Sequence, residues 1–242
     1  MQSVNLHKRL YLIYTEVGDG NLDKRFSTPE IYKNNRKNFY KLLKSNPYQL
    51  IEGAQIHSDR ILKLDPENSK MWRGHNITGV DGFISAENDN FLMLRVADCV
   101  PLVLYDPVHH AIGVIHAGLQ GTVADIHRKA LMRLSADFGS LAKEILVWFG
   151  PCAHSECYFT QEEPPQREDP AWKPYIHKKK DRYYIDFLNY QIDTLKSAGV
   201  LKKNMLVDPH CTVETPSLFS HLRSKTTLEP EGRFAVVAKL LA

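Results

Sequence analysis

The stretch from Phe91 to Gly118, FLMLRVADCVPLVLYDPVHHAIGVIHAG, constrains the fold of this chain more than any other. It holds three apolar, partly β-branched runs of strand length, FLMLRVADC, VPLVLYDP and AIGVIHAG, the last two joined by the tight DPVHH turn. Such runs demand a sheet that buries them. Two of them also end on groups an inert core does not need, a thiol at Cys99 and an imidazole at His116, where Val or Ala would pack as well. Open sheets keep their chemistry at strand ends, so the pair is read as a site.

The rest of the chain supplies helices and further strands. TPEIYKNNRKNFYKLLKSNP predicts a helix from Thr28 and Pro29, with Ile31, Phe39, Leu42 and Leu43 as its stripe, stopping before Pro47. YQLIEGAQIHSDRILKL predicts two short strands broken near Gly53, with His57 between them. GVDGFIS reads as a turn and a short strand. After HAGLQGT, the segment TVADIHRKALMRLSADFG places Val123, Ile126, Ala130, Leu131, Leu134 and Phe138 on one helical face, with Thr122 as N-cap and Asp125 three residues on. His109 and His110 then belong to a turn and His127 to the polar side of that helix. EILVWFGPC is a buried strand, EEPPQREDPAWKP a loop too polar for the core, and YIHKKKDR (Tyr175 to Arg182) a solvated loop. YYIDFLNYQIDTLKSAGV predicts a second long helix ending at Gly199, and NMLVDPHCT and RFAVVAKLL late strands. Without a repeat or a long linker, residues 1–242 read as a single domain.

Composition narrows the function. A chain of 242 residues, 43% apolar, buries a full core without disulfides. A formal charge of only +3 argues against nucleic acid as a partner while leaving room for a local basic pocket that holds phosphate. The early apolar stretch, Leu10 to Tyr14, is too short for a secretory leader and no run is long enough to span a bilayer, so a cytoplasmic protein with no membrane partner is expected. In a reducing compartment Cys99, Cys152, Cys157 and Cys211 are thiols or ligands rather than bridges. CAHSEC is the nearest thing to a metal knuckle, but no second cysteine pair follows it, and structural zinc is not expected there.

Three residues at predicted strand ends carry the chemistry: His57, Cys99 and His116. Two imidazoles and a thiolate suit zinc and leave a fourth tetrahedral position open, as a catalytic site requires. Each also has a bland reading, His57 as a surface residue and Cys99 as a small buried hydrophobe.

The motifs QIH, ADCVPLVLYD and HAGLQGT, in that order, resemble those of the YfiH/YlmD family, also known as the laccase-domain or polyphenol oxidase family. The similarity runs from about Asn34 onward, through KNNRKNF, YIDFLNYQIDTLKSAGV and CTVETPSLFSHLRSKTTLEPEGRFAVV. It implies a single α+β domain of mixed sheets packed together, with helices outside. It also implies one zinc ion on His57, Cys99 and His116, with copper as the second choice. The implied activity is phosphorolysis of purine nucleosides (adenosine, inosine or guanosine) to base and ribose 1-phosphate, with adenosine deamination and methylthioadenosine cleavage at the same site. Purine nucleoside and phosphate are then the partners; the oligomeric state is not set by the sequence. Copper-dependent phenol oxidation is an older assignment, and cell-wall precursor editing belongs to one branch.

Further residues are candidates within that frame. Asp98 is placed to stabilise charge at the sugar C1′ or to shuttle a proton, unless strand alternation turns it to the other face. Phosphate has two candidate cradles: the GLQGT turn (Gly118, Gln120, Gly121, Thr122) ahead of a helix, and the cations Arg36 and Arg223, which match family positions. Departures remove positive charge or stacking surface: Leu119 and Gln120 replace Trp and Arg of HAGWRGT, Glu16 stands at an arginine of TRxGG, and SYRR is SHLR from Ser220. Two other readings stay open: a metal-free amide hydrolase with Cys99 as nucleophile and His116 as base, and a non-catalytic zinc-stabilised nucleoside-binding module.

Overall fold

A computed structural model describes residues 1–242. In chain order the first elements are β1 (Gln2–Ser3), β2 (Leu10–Tyr14), α1 (Pro29–Leu42), β3 (Leu50–Ala54), β4 (Ile61–Leu64), α2 (Asn68–Trp72), β5 (Asn76–Thr78) and β6 (Gly82–Ser85). The central run gives β7 (Phe91–Val96), β8 (Val100–Asp106), β9 (Ala111–Ala117), α3 (Leu119–Val123), α4 (Ile126–Phe138) and β10 (Leu146–Phe149). The last part adds β11 (Phe159–Thr160), β12 (Ile176–Lys179), β13 (Arg182–Ile185), α5 (Phe187–Ser197), β14 (Met205–Val207), α6 (His221–Ser224) and β15 (Phe234–Leu240).

The strands form two six-stranded mixed sheets, β1-β2-β15-β7-β3-β5 and β14-β10-β8-β9-β6-β4, and a small sheet β11-β13-β12. Strand periodicity explains how the sheets stack. On β7, Leu92, Leu94 and Val96 join Val103, Tyr105, Val114 and Trp148 of the second sheet, while Phe91 and Met93 face α1 through Phe39 and Leu43. On β8, Val100, Leu102 and Leu104 turn the other way, toward Ile126, Leu131 and Leu134 of α4 and Phe187 and Leu195 of α5. Four layers result, helix, sheet, sheet, helices, as the α+β reading expects. Both faces of β8 and β9 are covered, which is why every residue of these two strands is buried. No helix is long and apolar enough to cross a membrane.

Several local expectations need correction. The α1 stripe is narrower than the sequence suggests, because Ile31 and Leu42 are exposed and only Phe39 and the flanking Leu43 pack inward. Gly53 lies inside β3, and the break before β4 falls at residues 55–60 instead. The helix expected from Thr122 is two helices, separated where Asp125 adopts φ +65°. Thr122 is therefore no N-cap: it sits within α3, and its hydroxyl donates to Gly118 O and accepts from Gln191 Nε2 of α5. The break rephases the helix, exposing Val123 and turning His127 into the core. There burial pushes the His127 imidazole down to about 4, and neither ring nitrogen makes a hydrogen bond, although Nε2 lies 3.7 Å from Asp125 Oδ1. Trp172, in the segment judged too polar for the core, is buried and stacks on Tyr190 with ring centroids 3.8 Å apart. The YIHKKKDR run is the β12–β13 hairpin: its lysines face solvent while Ile176, Tyr183 and Ile185 pack against the second core cluster.

Candidate functional site

The chain crosses between the two sheets at β3 to β4 and again at β7 to β8, and both crossings deliver a candidate ligand. His57 lies on the first, and Cys99 ends the second, one residue before β8. The antiparallel register Val100↔Ala117 and Pro101↔His116 sets the start of β8 beside the end of β9, bringing His116 to Cys99. One donor atom from each of His57, Cys99 and His116 falls within 4.8 Å of the others. The two imidazole rings meet edge to face at 74° with centroids 4.9 Å apart. Gly118 shows how tight the cluster is: a Cβ there would lie 2.8 Å from Cys99 Sγ and 2.9 Å from His57 Cδ2, so the glycine of HAG is required by close approach.

Asp81, fully buried, holds the arrangement together. Its carboxylate accepts from the backbone amides of Ile56, His57 and Ser58, from Ser58 Oγ at 2.7 Å and from His116 Nδ1 at 2.8 Å. These bonds let His57 keep φ +62°, a conformation costly for a residue with a Cβ. The bond from Nδ1 to Asp81 is the second contact expected of a metal-ligating histidine: it fixes the His116 tautomer and leaves the lone pair of Nε2 for a metal. Burial pushes the Asp81 carboxyl up, but the donors from His116 and Ser58 outweigh it and hold it at about 2. Burial likewise opposes ionisation of Cys99, yet His116 and His57 bring its thiol down to about 6. For His116, burial is outweighed by Cys99 and Asp81, which raise it to about 9. The cluster thus stabilises an ionised sulfur, the form that binds a soft cation.

The cluster forms the floor of a cleft of about 1050 Å³. Leu119 and Gln120 line it, as do Phe26, Tyr158, Phe187 and Leu222. Tyr158 and Phe187 meet edge to face at 5.0 Å, and burial, then Cys99 and Asp98, push the Tyr158 hydroxyl up to about 12. Cations on the walls are Lys24, Arg25, Arg95, Lys225 and Arg233. Arg25 is paired with Asp23, Arg233 with Glu231 and Arg95 with Glu52, whereas Lys24 and Lys225 make no ion pair.

Other sequence candidates lie elsewhere. Arg36 is outside the cleft, its guanidinium held by both oxygens of Glu52 and by Tyr40. Arg223 is also outside: it donates to the carbonyls of Thr212, Val213, Thr215 and Leu218 and pairs with Glu229, so it staples a loop. Asp98 does line the cleft, at φ +82°, but Thr212 Oγ1 and the Leu222 amide occupy its two oxygens, each at 2.7 Å. That arrangement ties Asp98 to the loops at Thr212 and Leu222, so each of its oxygens already accepts one hydrogen bond. Of GLQGT, Gly121 and Thr122 are buried beneath the turn, with Thr122 N–H donating to Gly118 O, so only Leu119 and Gln120 face the cleft. Glu16 bonds the N-terminal amine and Gln2 and stays clear of the site. Sequence reasoning missed Asp81, concealed in the GVDG turn, and the wall cations, which come from segments remote in sequence.

Comparison with known proteins agrees with this architecture. The profile of the multi-copper polyphenol oxidoreductase laccase family matches residues 17–240. Purine nucleoside phosphorylase YlmD of Bacillus subtilis is 31% identical over 182 residues, 71% of this chain and 64% of that protein. The alignment thus spans just under two thirds of that relative. A purine nucleoside phosphorylase of Streptomyces coelicolor is 30% identical over 203 residues, 83% of this chain and 79% of its own length. Among solved structures, the Bacillus licheniformis hypothetical protein YfiH superposes with a TM-score of 0.81 at 25% identity, covering 96% of this chain and 92% of that one. YlmD from Geobacillus stearothermophilus gives 0.82 at 22% identity, covering 99% and 94%, and shares the fold.

Proposed function

Because the chain belongs to the multi-copper polyphenol oxidoreductase laccase family, we propose that it is a zinc-dependent purine nucleoside phosphorylase. It would convert adenosine, inosine or guanosine and phosphate to the free base and ribose 1-phosphate. One observation carries the reading: a His-Cys-His cluster floors a cleft whose walls combine unpaired lysines with aromatic rings. A phosphate needs the first, a purine the second.

In phosphorolysis a phosphate oxygen forms a bond to the sugar C1′ as the bond from C1′ to the purine nitrogen breaks. The electron pair leaves with the base, which takes up a proton. Lys24 and Lys225 are free to hold the anion beside C1′. Phe26 and Tyr158, both half-buried on the cleft wall, offer aromatic surface to the base, and Tyr158, kept protonated, is also a hydrogen-bond donor there. Cys99, His57 and His116 would hold the ion, whose Lewis acidity at its open position would serve the reacting oxygen. The donor set also accepts copper, but the cationic walls favour a phosphate substrate over a neutral phenol.

A second reading has its own observation. Asp81, His116 and Cys99 stand in the order of an orienting carboxylate, a base and a thiol nucleophile, with Asp81 rather than Asp98 as the third member. A coordinated thiolate is a poor free nucleophile, so metal content separates the two. The test of the first is incubation of zinc-replete protein with adenosine or inosine, with and without phosphate, followed by chromatography of bases, ribose 1-phosphate and inosine. Phosphate-dependent release of base with equal ribose 1-phosphate supports the proposal; inosine from adenosine adds deamination. Binding without any product points to the non-catalytic module and rejects the phosphorylase.

A further inference from the structure

CAHSEC lacks a second cysteine pair in sequence, but the fold brings a partner from far downstream. Cys152 and Cys211 form an isolated parallel bridge, and Thr212 N–H donates to Cys152 O at 2.9 Å, tying the two segments side by side. Each segment then turns in the same way. The amides of Cys157 and Tyr158 both donate to His154 O, curling the CAHSEC loop so that Cys157 returns toward Cys211. The amides of Glu214 and Thr215 both donate to Cys211 O, folding Glu214 back toward the same sulfur. One donor atom from each of Cys157, Cys211 and Glu214 lies within 4.8 Å of the other two. Both cysteines are free thiols, and the Glu214 carboxylate has neither an ion pair nor a hydrogen bond. His154 N–H donates to Cys211 Sγ at 3.4 Å, fixing the sulfur within the turn.

We propose that Cys157, Cys211 and Glu214 hold a second zinc ion, distinct from the one assigned to His57, Cys99 and His116. Two thiolates and a carboxylate complete three corners of a tetrahedron, and the exposure of Glu214 leaves the fourth to water. The ion clamps residues 152–158 to residues 211–215. Those segments carry Tyr158 into the cleft and Thr212 to the Asp98 carboxylate, so the clamp fixes one wall of the main site.

The proposal is tested by counting zinc in the full chain after saturation with Zn²⁺ and desalting, in wild type, Cys157→Ala and Glu214→Ala. Each variant is expected to carry about one ion per chain fewer than wild type. Glu214 is exposed, so its variant remains informative if Cys157→Ala folds poorly. Cobalt substitution gives a second readout: thiolate-to-metal absorption falls in Cys157→Ala although Cys99 is intact. A count unchanged in both variants overturns the second site. So does a thiol titration of denatured, unreduced protein that finds two of the four cysteines already joined. His57→Ala in the same series reports on the first site alone, so failure of either assignment is distinguishable from failure of the other.

Discussion

The floor and the walls of the cleft are built on opposite plans. The floor ligands come from two strand ends and from the crossing loop at residues 55–60, and are wired through one buried carboxylate, Asp81, which binds three amides, a hydroxyl and an imidazole. Of the wall cations only Arg95 stands on a strand, β7; the others come from a short turn at residues 24–26, from the loop after α6 and from the approach to β15, and two of them are unpaired. The physical demands differ. Coordination tolerates errors of a few tenths of an ångström, so its residues must sit on rigid, closely packed backbone. Attraction between a lysine and a phosphate falls off only as the inverse of distance, so any loop that reaches the cleft can supply it. The substitutions at Glu16, Leu119 and Gln120 therefore leave a cationic wall in place.

The largest effect that would break this contrast is at the floor. Cys99→Ala is expected to lower kcat/KM for inosine by about a thousandfold or more, with loss of the ion from that site. A variant that keeps most of its activity would show that the floor is not the reacting centre. Asp81→Asn comes next: zinc affinity at the triad is expected to fall by about tenfold to a hundredfold, measured by competition with a chelator. The same residue has an acid signature. Its folded value of about 2 lies below the ordinary 3.8, so its stabilisation is complete above pH 4 and is lost as pH falls toward 2. Wild type should lose roughly 2 kcal/mol more than Asp81→Asn across that window in denaturant melts.

At the walls the expected effects are smaller and of another kind. Lys225→Ala or Lys24→Ala should raise KM for phosphate by about tenfold, with kcat within about twofold, and added salt should narrow the difference from wild type. If kcat falls instead and KM holds, the lysine acts on the transition state and the contrast must be redrawn. Arg223→Ala should lower the melting temperature through four lost carbonyl contacts while leaving KM for phosphate unchanged.

How much of this was legible in sequence follows the same division. The floor was legible because each ligand sits in a short motif, two at strand ends and His57 in the crossing loop, and the β8–β9 pairing that unites two of them follows from a tight turn. Asp81 was not, because a carboxylate inside GVDG looks like turn chemistry until the loop at residues 55–60 wraps around it. The packed sheets were expected from the family resemblance; β7, β8 and β15 are near-continuous apolar runs, so no alternation in the sequence tells which face packs on which layer. The helix after Gly118 was misphased because nothing local marks Asp125 as a left-handed break, and His127 was misplaced with it. Arg36 and Arg223 match family positions, yet Glu52 and a set of carbonyls hold them outside the cleft. Lys24, Lys225 and the Cys157–Cys211 approach depend on contacts between distant segments, which no local pattern encodes.

The central claim is that His57, Cys99 and His116 together grip one ion. It is tested most directly by an anomalous difference map at the zinc edge from crystals of zinc-loaded protein. The account predicts a peak about 2.3 Å from Cys99 Sγ and about 2.0–2.1 Å from one nitrogen of each histidine. A zinc-saturated crystal with no peak there, or with a peak that leaves the Cys99 sulfur unbound, would contradict it.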